Sequence, residues 1–192
     1  MFIQTETTPN PATLKFLPGK VVLEAGTADF RDADAAAADS PLAGRLFAIP
    51  GIAGVFFGYD FITVTKDDGP DWQHLKPAIL GAVMEHFMSG QPVMAPAAAG
   101  GVETAGDEEF YDEADAEIVV TIKELLDTRV RPAVAQDGGD ITFRGYQNGT
   151  VFLYMKGACA GCPSSTATLK HGIQNLLKHF VPEVQQVEQV AA

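Results

Sequence analysis

The first ninety residues alternate between apolar and polar positions in several short stretches. Residues 2–6 and 13–17 predict two short β-strands joined by a Pro-rich turn at residues 7–11. Residues 51–57 and 60–66, with a Gly-Tyr pair between them, predict a β-hairpin. We therefore expect an antiparallel sheet in this part of the chain.

Two helices are predicted to cover that sheet. Ser40 and Pro41 are residue types favoured at the N-cap and the first position of a helix, and residues 42–49 continue it. A longer helix is predicted to begin after Asp71, because apolar residues then recur on one face, namely Leu75, Ile79, Val83 and Phe87. The Ala- and Asp-rich residues 28–39 are predicted to form a loop. The resulting order is β-β-α-β-β-α.

The last third of the chain has a different order of periods. Apolar residues at helical spacing over residues 118–130 predict an amphipathic helix, and Pro132 predicts its end. Strands are predicted at residues 141–146 and 150–155, because an Asn-Gly dipeptide between them is a strong hairpin signal. A helix is then predicted from Pro163 to Phe180, followed by a strand at residues 184–190, which gives the order α-β-β-α-β.

The stretch between these two parts has the composition of a linker. Residues 91–115 begin with an Ala, Pro and Gly segment and continue with acidic residues, without a Lys or Arg among them. Such a segment has too little apolar surface to offset the entropy lost on ordering. We therefore predict two small α+β domains, at residues 1–90 and 116–192, joined by a flexible acidic linker.

The amino-acid composition argues against several classes of function. The 192 residues are 46% hydrophobic and carry a formal net charge of −12, which disfavours binding to nucleic acid or to an anionic membrane. No stretch reaches the ~18 consecutive apolar residues of a membrane-spanning helix. Residues 1–6 resemble neither a secretory signal nor a transit peptide, and two cysteines argue against a disulfide-stabilised secreted protein. We expect a cytoplasmic protein.

The candidate chemistry lies in a CxxC motif. Cys159 and Cys162 are the two cysteines of the chain, between a predicted strand and a helix whose first residue is Pro163. This position places Cys162 near the helix N-cap. Both sulfurs, of Cys159 and Cys162, are then expected near the positive end of the helix dipole, which favours a thiolate over a thiol. Small residues at positions 158, 160 and 161 are expected to leave backbone N–H groups free to face a bulky anion.

Two thiolates make half of a common ligand set. Structural zinc sites and iron–sulfur clusters both take about four protein ligands. We expect the four histidines to be solvated, and Asp137 and Asp140 to form a turn rather than to bind metal. Two chains that each give Cys159 and Cys162 complete an S4 site on a two-fold axis. A zinc-binding interaction module and a thiol–disulfide oxidoreductase remain the alternatives.

Three segments resemble a known family. Residues 131–141 (RPAVAQDGGDI) and 157–166 (GACAGCPSST) resemble the C-terminal domain of NifU and the Nfu iron–sulfur scaffold proteins. Residues 4–16 (QTETTPNPATLKF) resemble the separate Nfu N-terminal domain. One departure is that Ala158 and Ala160 stand where many relatives are expected to have serine.

This resemblance implies a specific function. Members of the family hold a [4Fe–4S] cluster between two subunits through this CxxC motif and pass it to apo-proteins. For this chain it implies cluster ligands Cys159 and Cys162, a homodimer when loaded, and no enzymatic activity. It also implies apo iron–sulfur clients and upstream cluster-assembly proteins as partners, and a partner-recognition role for the first domain. A [2Fe–2S] cluster would satisfy the same four thiolates.

Overall fold

A computed structural model describes residues 1–96, 98, 109–161 and 163–190, with the backbone alone for residues 163–165. The chain divides into two compact units, Met1–Thr104 and Ala105–Ala192. Each unit combines helices with one sheet, so the predicted two-domain α+β class is confirmed. Among the described helices, none has both the length and the apolarity needed to cross a lipid bilayer.

The first unit is a five-stranded antiparallel sheet with three helices. Its elements are β1 (Gln4–Thr7), β2 (Thr13–Leu17), β3 (Ala28–Phe30), α1 (Ala33–Asp39), α2 (Pro41–Phe47), β4 (Ile52–Phe57), β5 (Ile62–Lys66) and α3 (Trp72–Ser89). The strand order is β1-β2-β5-β4-β3. Fully buried Phe16, Phe57 and Ile79 belong to a core to which the helices and the sheet both contribute.

The prediction of a loop over residues 28–39 is wrong. The first three of these residues form edge strand β3, which pairs with β4. Helix α1 follows because the Asp32 carboxylate caps it, accepting hydrogen bonds from the N–H groups of Asp34 and Ala35 at 3.1 and 2.9 Å. Gly44 of α2 allows the two helices to approach closely, since a Cβ there would lie 3.1 Å from the Cα of Ala37. Small residues here permit packing that an apolar period does not reveal.

The second unit has three helices and a three-stranded sheet. Its elements are α4 (Ala116–Leu125), a π-helical turn (Leu126–Val130), α5 (Arg131–Gln136), β6 (Gly139–Gln147), β7 (Thr150–Gly157), α6 (Pro163–Phe180) and β8 (Gln186–Val190). Strand β7 lies in the centre, antiparallel to β6 and parallel to β8. Asn148 and Gly149 have φ values of +51° and +79°, which a tight hairpin turn requires. The predicted hairpin is therefore present.

Pro132 does not end the first helix of this unit. The π-helical turn precedes it, and the N–H of Arg131 donates to the carbonyl of Leu126. Pro132 then falls in the first turn of α5, where a missing N–H donor leaves no hydrogen bond unmade, and the helix continues to Gln136. The predicted end of the helix is thus wrong by about one turn.

Both ends of the predicted linker contact the neighbouring units. Val93 packs against the core of the first unit and its carbonyl accepts a hydrogen bond from the Ser40 hydroxyl. In the second unit, Phe110 donates to the carbonyl of Arg144 at 3.2 Å, and its ring lies 5.1 Å from that of Phe152. Val93 and Phe110 are thus in contact with the folded units, while residues 97 and 99–108 lie outside the described part of the chain. The flexible linker stays a prediction.

One of the four histidines differs from the prediction. His74, His171 and His179 are exposed as expected, whereas the side chain of His86 on α3 is fully buried. Neither ring nitrogen of His86 makes a hydrogen bond of normal geometry. Burial, and then the charge of Arg45, lower the pKa of His86, which the backbone of Gln91 and Pro92 partly offsets. His86 is therefore neutral in the folded protein at neutral pH.

The first unit is expected to lose stability as the pH falls below about 6.5, the pKa of an unperturbed histidine. The unfolded chain takes up the proton there while folded His86 resists it, so the free energy of unfolding decreases with falling pH. The contribution reaches at most about 1.4 kcal/mol per pH unit. Urea unfolding followed by fluorescence of the single tryptophan, Trp72, at pH 7.5 and 5.0 measures this loss.

A His86→Gln variant is expected to show a smaller loss of stability over the same pH range. His74→Gln is the matched control, because His74 lies on the same helix and is exposed. Equal pH dependence in the wild type and His86→Gln would contradict the assignment.

Candidate metal centre

The CxxC loop connects the central strand of the second unit to its longest helix. Strand β7 ends at Gly157 and α6 begins at Pro163, so the predicted helix start is confirmed. Cys159 lies in the loop between them. Cys162, which we predicted at the N-cap, lies outside the described residues.

Hydrogen bonds to the backbone hold the first half of this loop. The N–H of Ala158 donates to the carbonyl of Gly138 at 3.2 Å, and that of Ala160 to the carbonyl of Gly157 at 3.1 Å. Gly157 has a φ of +63°, which turns the chain out of the strand. The N–H groups of Ala158 and Ala160 are thus not free, contrary to the prediction that they face a bound anion.

The sulfur of Cys159 points into the protein. The residue is 6% exposed and belongs to the hydrophobic core of its unit. A Cβ placed on Gly139, at the start of β6, would lie 2.7 Å from this sulfur and 2.6 Å from the carbonyl oxygen of Lys156. Only glycine therefore leaves room for the thiol at this position.

Burial sets the protonation state of this cysteine. Loss of hydration, and then the negative charges of Asp137 and Asp140, raise the pKa of Cys159 to about 12. The prediction that the helix dipole favours a thiolate is wrong for Cys159 in this conformation. The free chain holds it as a neutral thiol, which must lose its proton before it binds a metal.

A partly buried ion pair holds the start of strand β6, which packs against the sulfur. The guanidinium of Arg131 donates two hydrogen bonds to the Asp140 carboxylate, from Nε at 2.8 Å and from Nη2 at 2.9 Å. Asp140 is 4% exposed and also accepts the N–H of Ile141 at 2.8 Å. The hydrogen bonds to Asp140 hold the pKa of Arg131 above its usual range.

Two roles in this site escaped the sequence analysis. We read residues 137–140 as a turn, but Gly139 also makes the space for the sulfur, and Asp140 is the partner of Arg131. Arg131 lies nine positions before Asp140, and both belong to the family-like segment of residues 131–141. That segment was a sequence signal for a functional role, but the pairing of Arg131 with Asp140 is visible only in three dimensions.

No third ligand completes a metal site within one chain, as far as the described residues extend. Among them, no group of three or more His, Cys, Asp or Glu side chains is arranged to hold a metal ion. The exposed histidines of α6, His171 and His179, belong to no such group. Cys159, and Cys162 beyond the described residues, thus remain the candidate ligands.

Family models match both units. Residues 3–90 match the scaffold protein Nfu/NifU N-terminal domain. Residues 122–188 match the NifU-like domain. The first matched segment lies within the first compact unit and the second within the second unit.

Relatives that match nearly the whole of this chain agree with these family matches. The human protein named "NFU1 iron-sulfur cluster scaffold homolog, mitochondrial" is 53% identical over 191 residues, covering 99% of this chain and 72% of the relative. "NifU-like protein 4, mitochondrial" of Arabidopsis thaliana is also 53% identical, covering 98% of this chain and 66% of the relative. Other relatives from Drosophila species are covered over only 64–65% of their length.

Solved structures of similar proteins include one from yeast. The solution structure of a NifU-like protein from Saccharomyces cerevisiae is 30% identical, with a TM-score of 0.44, and the match covers 50% of this chain and 86% of that one. The relatives that match nearly the whole of this chain, together with the two family models, confirm the resemblance to Nfu and NifU-like proteins that the CxxC segment and the N-terminal segment predicted. The chain therefore belongs to the Nfu and NifU-like family of iron–sulfur cluster scaffold proteins.

Proposed function

We propose that this chain carries a [4Fe–4S] cluster between two copies of itself and passes it to apo-proteins. Each copy would supply Cys159 and Cys162. The observation that carries the proposal is that both cysteines of a scaffold-family chain lie in one loop, in a sequence that has no others. Half a ligand set on each chain makes the bound cluster reversible, which suits transfer rather than storage.

The donor chemistry fits an iron–sulfur cluster. Thiolates are its usual protein ligands, and four are needed. Zinc accepts the same S4 set, so chemistry alone does not separate the two metals. The relatives named as iron–sulfur cluster scaffolds favour the cluster over zinc. A [2Fe–2S] cluster would use the same four ligands.

Loading would change the conformation of the loop. A sulfur that is buried against Gly139 cannot reach a second subunit, so Cys159 must turn outward and release its proton. Two glycines in this loop are suited to such a movement, because Gly157, before the motif, and Gly161, within it, both adopt positive φ without strain. Strand β6 would remain in place, held by the pair of Arg131 with Asp140.

The partners we propose are apo iron–sulfur clients and upstream assembly proteins, with the first unit contributing to their choice. Neither nucleic acid nor membrane is part of the proposal. The relatives are named as mitochondrial proteins, whereas we predicted a cytoplasmic location for this chain. The location stays a prediction.

Cys159→Ala and Cys162→Ala are each expected to abolish stable cluster binding, because one lost thiolate per chain leaves two ligands of four. The amounts of iron and acid-labile sulfide per chain, measured after anaerobic reconstitution, test this prediction, and circular dichroism checks that the variants are folded.

Wild-type holo-protein is also expected to activate an apo [4Fe–4S] enzyme in the presence of a chelator that captures free iron.

An iron content equal to that of the wild type in either variant would contradict the ligand assignment. If the wild-type protein binds zinc and contains no sulfide, the zinc-binding interaction module is favoured instead. A recipient that stays inactive while the cluster remains on this chain would exclude the carrier role.

The buried state of Cys159 predicts slow alkylation in the apo-protein. In a Cys162→Ala background, the rate with iodoacetamide at pH 7 is expected to be at least tenfold lower than in the same chain unfolded in urea. Because the pKa of Cys159 is raised to about 12, the folded rate should still increase above pH 9. In the unfolded chain it levels off near the ordinary thiol pKa of about 8.5. Equal rates in the two states at pH 7 would show that the sulfur is already exposed.

A further inference from the structure

An apolar groove of about 300 Å³ lies between α5 and α6 of the second unit. Its walls are mainly apolar side chains from these helices and the preceding π-helical turn: Val130, Ala133, Val134, Leu169, Ile173 and Leu176. Gly172 lies in the exposed middle of α6, and a Cβ placed there would meet no atom within 4 Å. The groove is therefore open in front of this glycine.

The walls determine what kind of element fits. Helices satisfy their own backbone hydrogen bonds, so the groove offers no strand edge on which an extended peptide could pair. Recognition must come from side chains, as when an amphipathic helix lays its apolar face in a groove. Ala133 and Gly172 are small, which permits the close approach of a helix backbone.

The two ends of the groove carry opposite charges. Asp137 lies at the end near Cys159, whose pKa it influences, and Arg129 lies eight residues earlier, about 12 Å away at the helical rise. Neither forms an ion pair in the described part of the chain, although Arg129 contacts the ring of Phe180 at 5.1 Å. A helix with its N-terminus at Asp137 and its C-terminus at Arg129 complements both charges through its dipole.

A second copy of this chain suits the groove less well. If two chains share the cysteine site on a two-fold axis, the ends that carry Asp137 face each other, and like charges meet there. The far end of the groove, at Arg129, then points away from the axis. By this charge argument, a partner other than a second copy fits the groove better.

We propose that this groove docks an amphipathic helix of the protein that supplies or receives the cluster, oriented with its N-terminus toward the CxxC loop. The identity of that partner as donor or recipient rests on the proposed function. The docking itself does not, because it depends only on the groove and its two charges.

Gly172→Leu is the direct test, because a Cβ at this position meets no atom within 4 Å and the leucine side chain would occupy the groove. Gly81→Leu is the matched control: Gly81 lies in the exposed middle of α3, in the other unit, and a Cβ there also meets no atom within 4 Å. The probe is a labelled helical peptide of about 15 residues with leucines at i, i+3, i+4 and i+7. It carries Lys in its first turn and Glu in its last. A peptide of the same composition in scrambled order controls for non-specific binding.

Fluorescence anisotropy with the full-length chain is expected to show binding of the amphipathic peptide and at least tenfold weaker binding of the scrambled one. Gly172→Leu should weaken the affinity at least tenfold, and Gly81→Leu should leave it unchanged. Arg129→Glu should weaken binding of this peptide, and a peptide with Lys in both its first and its last turn should recover it. The charge test separates docking in the groove from general adhesion to apolar surface.

Several results would overturn the proposal. One is that the wild type does not bind the amphipathic peptide at about millimolar concentration. Another is that the wild type and Gly172→Leu bind this peptide with equal affinity. Conversion of a dimer to a monomer by Gly172→Leu in sedimentation would assign the groove to a second copy instead. Iron content after reconstitution is measured in the same variants. If the wild type holds no cluster but binds the peptide as described, the scaffold function fails and the docking site stands.

Discussion

The packing of the Cys159 sulfur against Gly139 is the contact on which the proposed site depends. It joins the loop after β7 to the first residue of β6, and it exists because position 139 has no side chain. The hydrogen bonds of Arg131 with Asp140 hold the next residue of β6. A candidate ligand, a glycine and a partly buried ion pair thus lie close together, although they come from three separate elements.

This contact places two demands on the same cysteine. In the free chain, the sulfur fills part of the core and stays protonated, which protects a thiol that would otherwise be open to oxidation. In the proposed loaded chain, the same sulfur would have to be an anion that reaches the cluster. The proposal therefore requires the loop to rearrange, and the loop holds two glycines, Gly157 and Gly161, with positive φ.

The sequence predicted what depends on local pattern. The Asn-Gly hairpin, the start of α6 at Pro163 and the CxxC motif were all visible without a structure. Strand β3 and helix α1 were missed, because their packing depends on alanines and one capping aspartate rather than on an apolar period. The burial of His86 and of Cys159 was also missed, since neither depends on neighbours in sequence. Long-range packing decides such features, and a single sequence does not encode them in its spacing.

The central claim is that two chains share one cluster, and its stoichiometry is the most direct test. Native mass spectrometry of the anaerobically reconstituted full-length chain measures the number of chains, irons and sulfides in one particle. We predict two chains with four irons and four sulfides, and separation into single chains when the cluster is removed. A single chain that holds one metal ion and no sulfide would contradict the shared cluster.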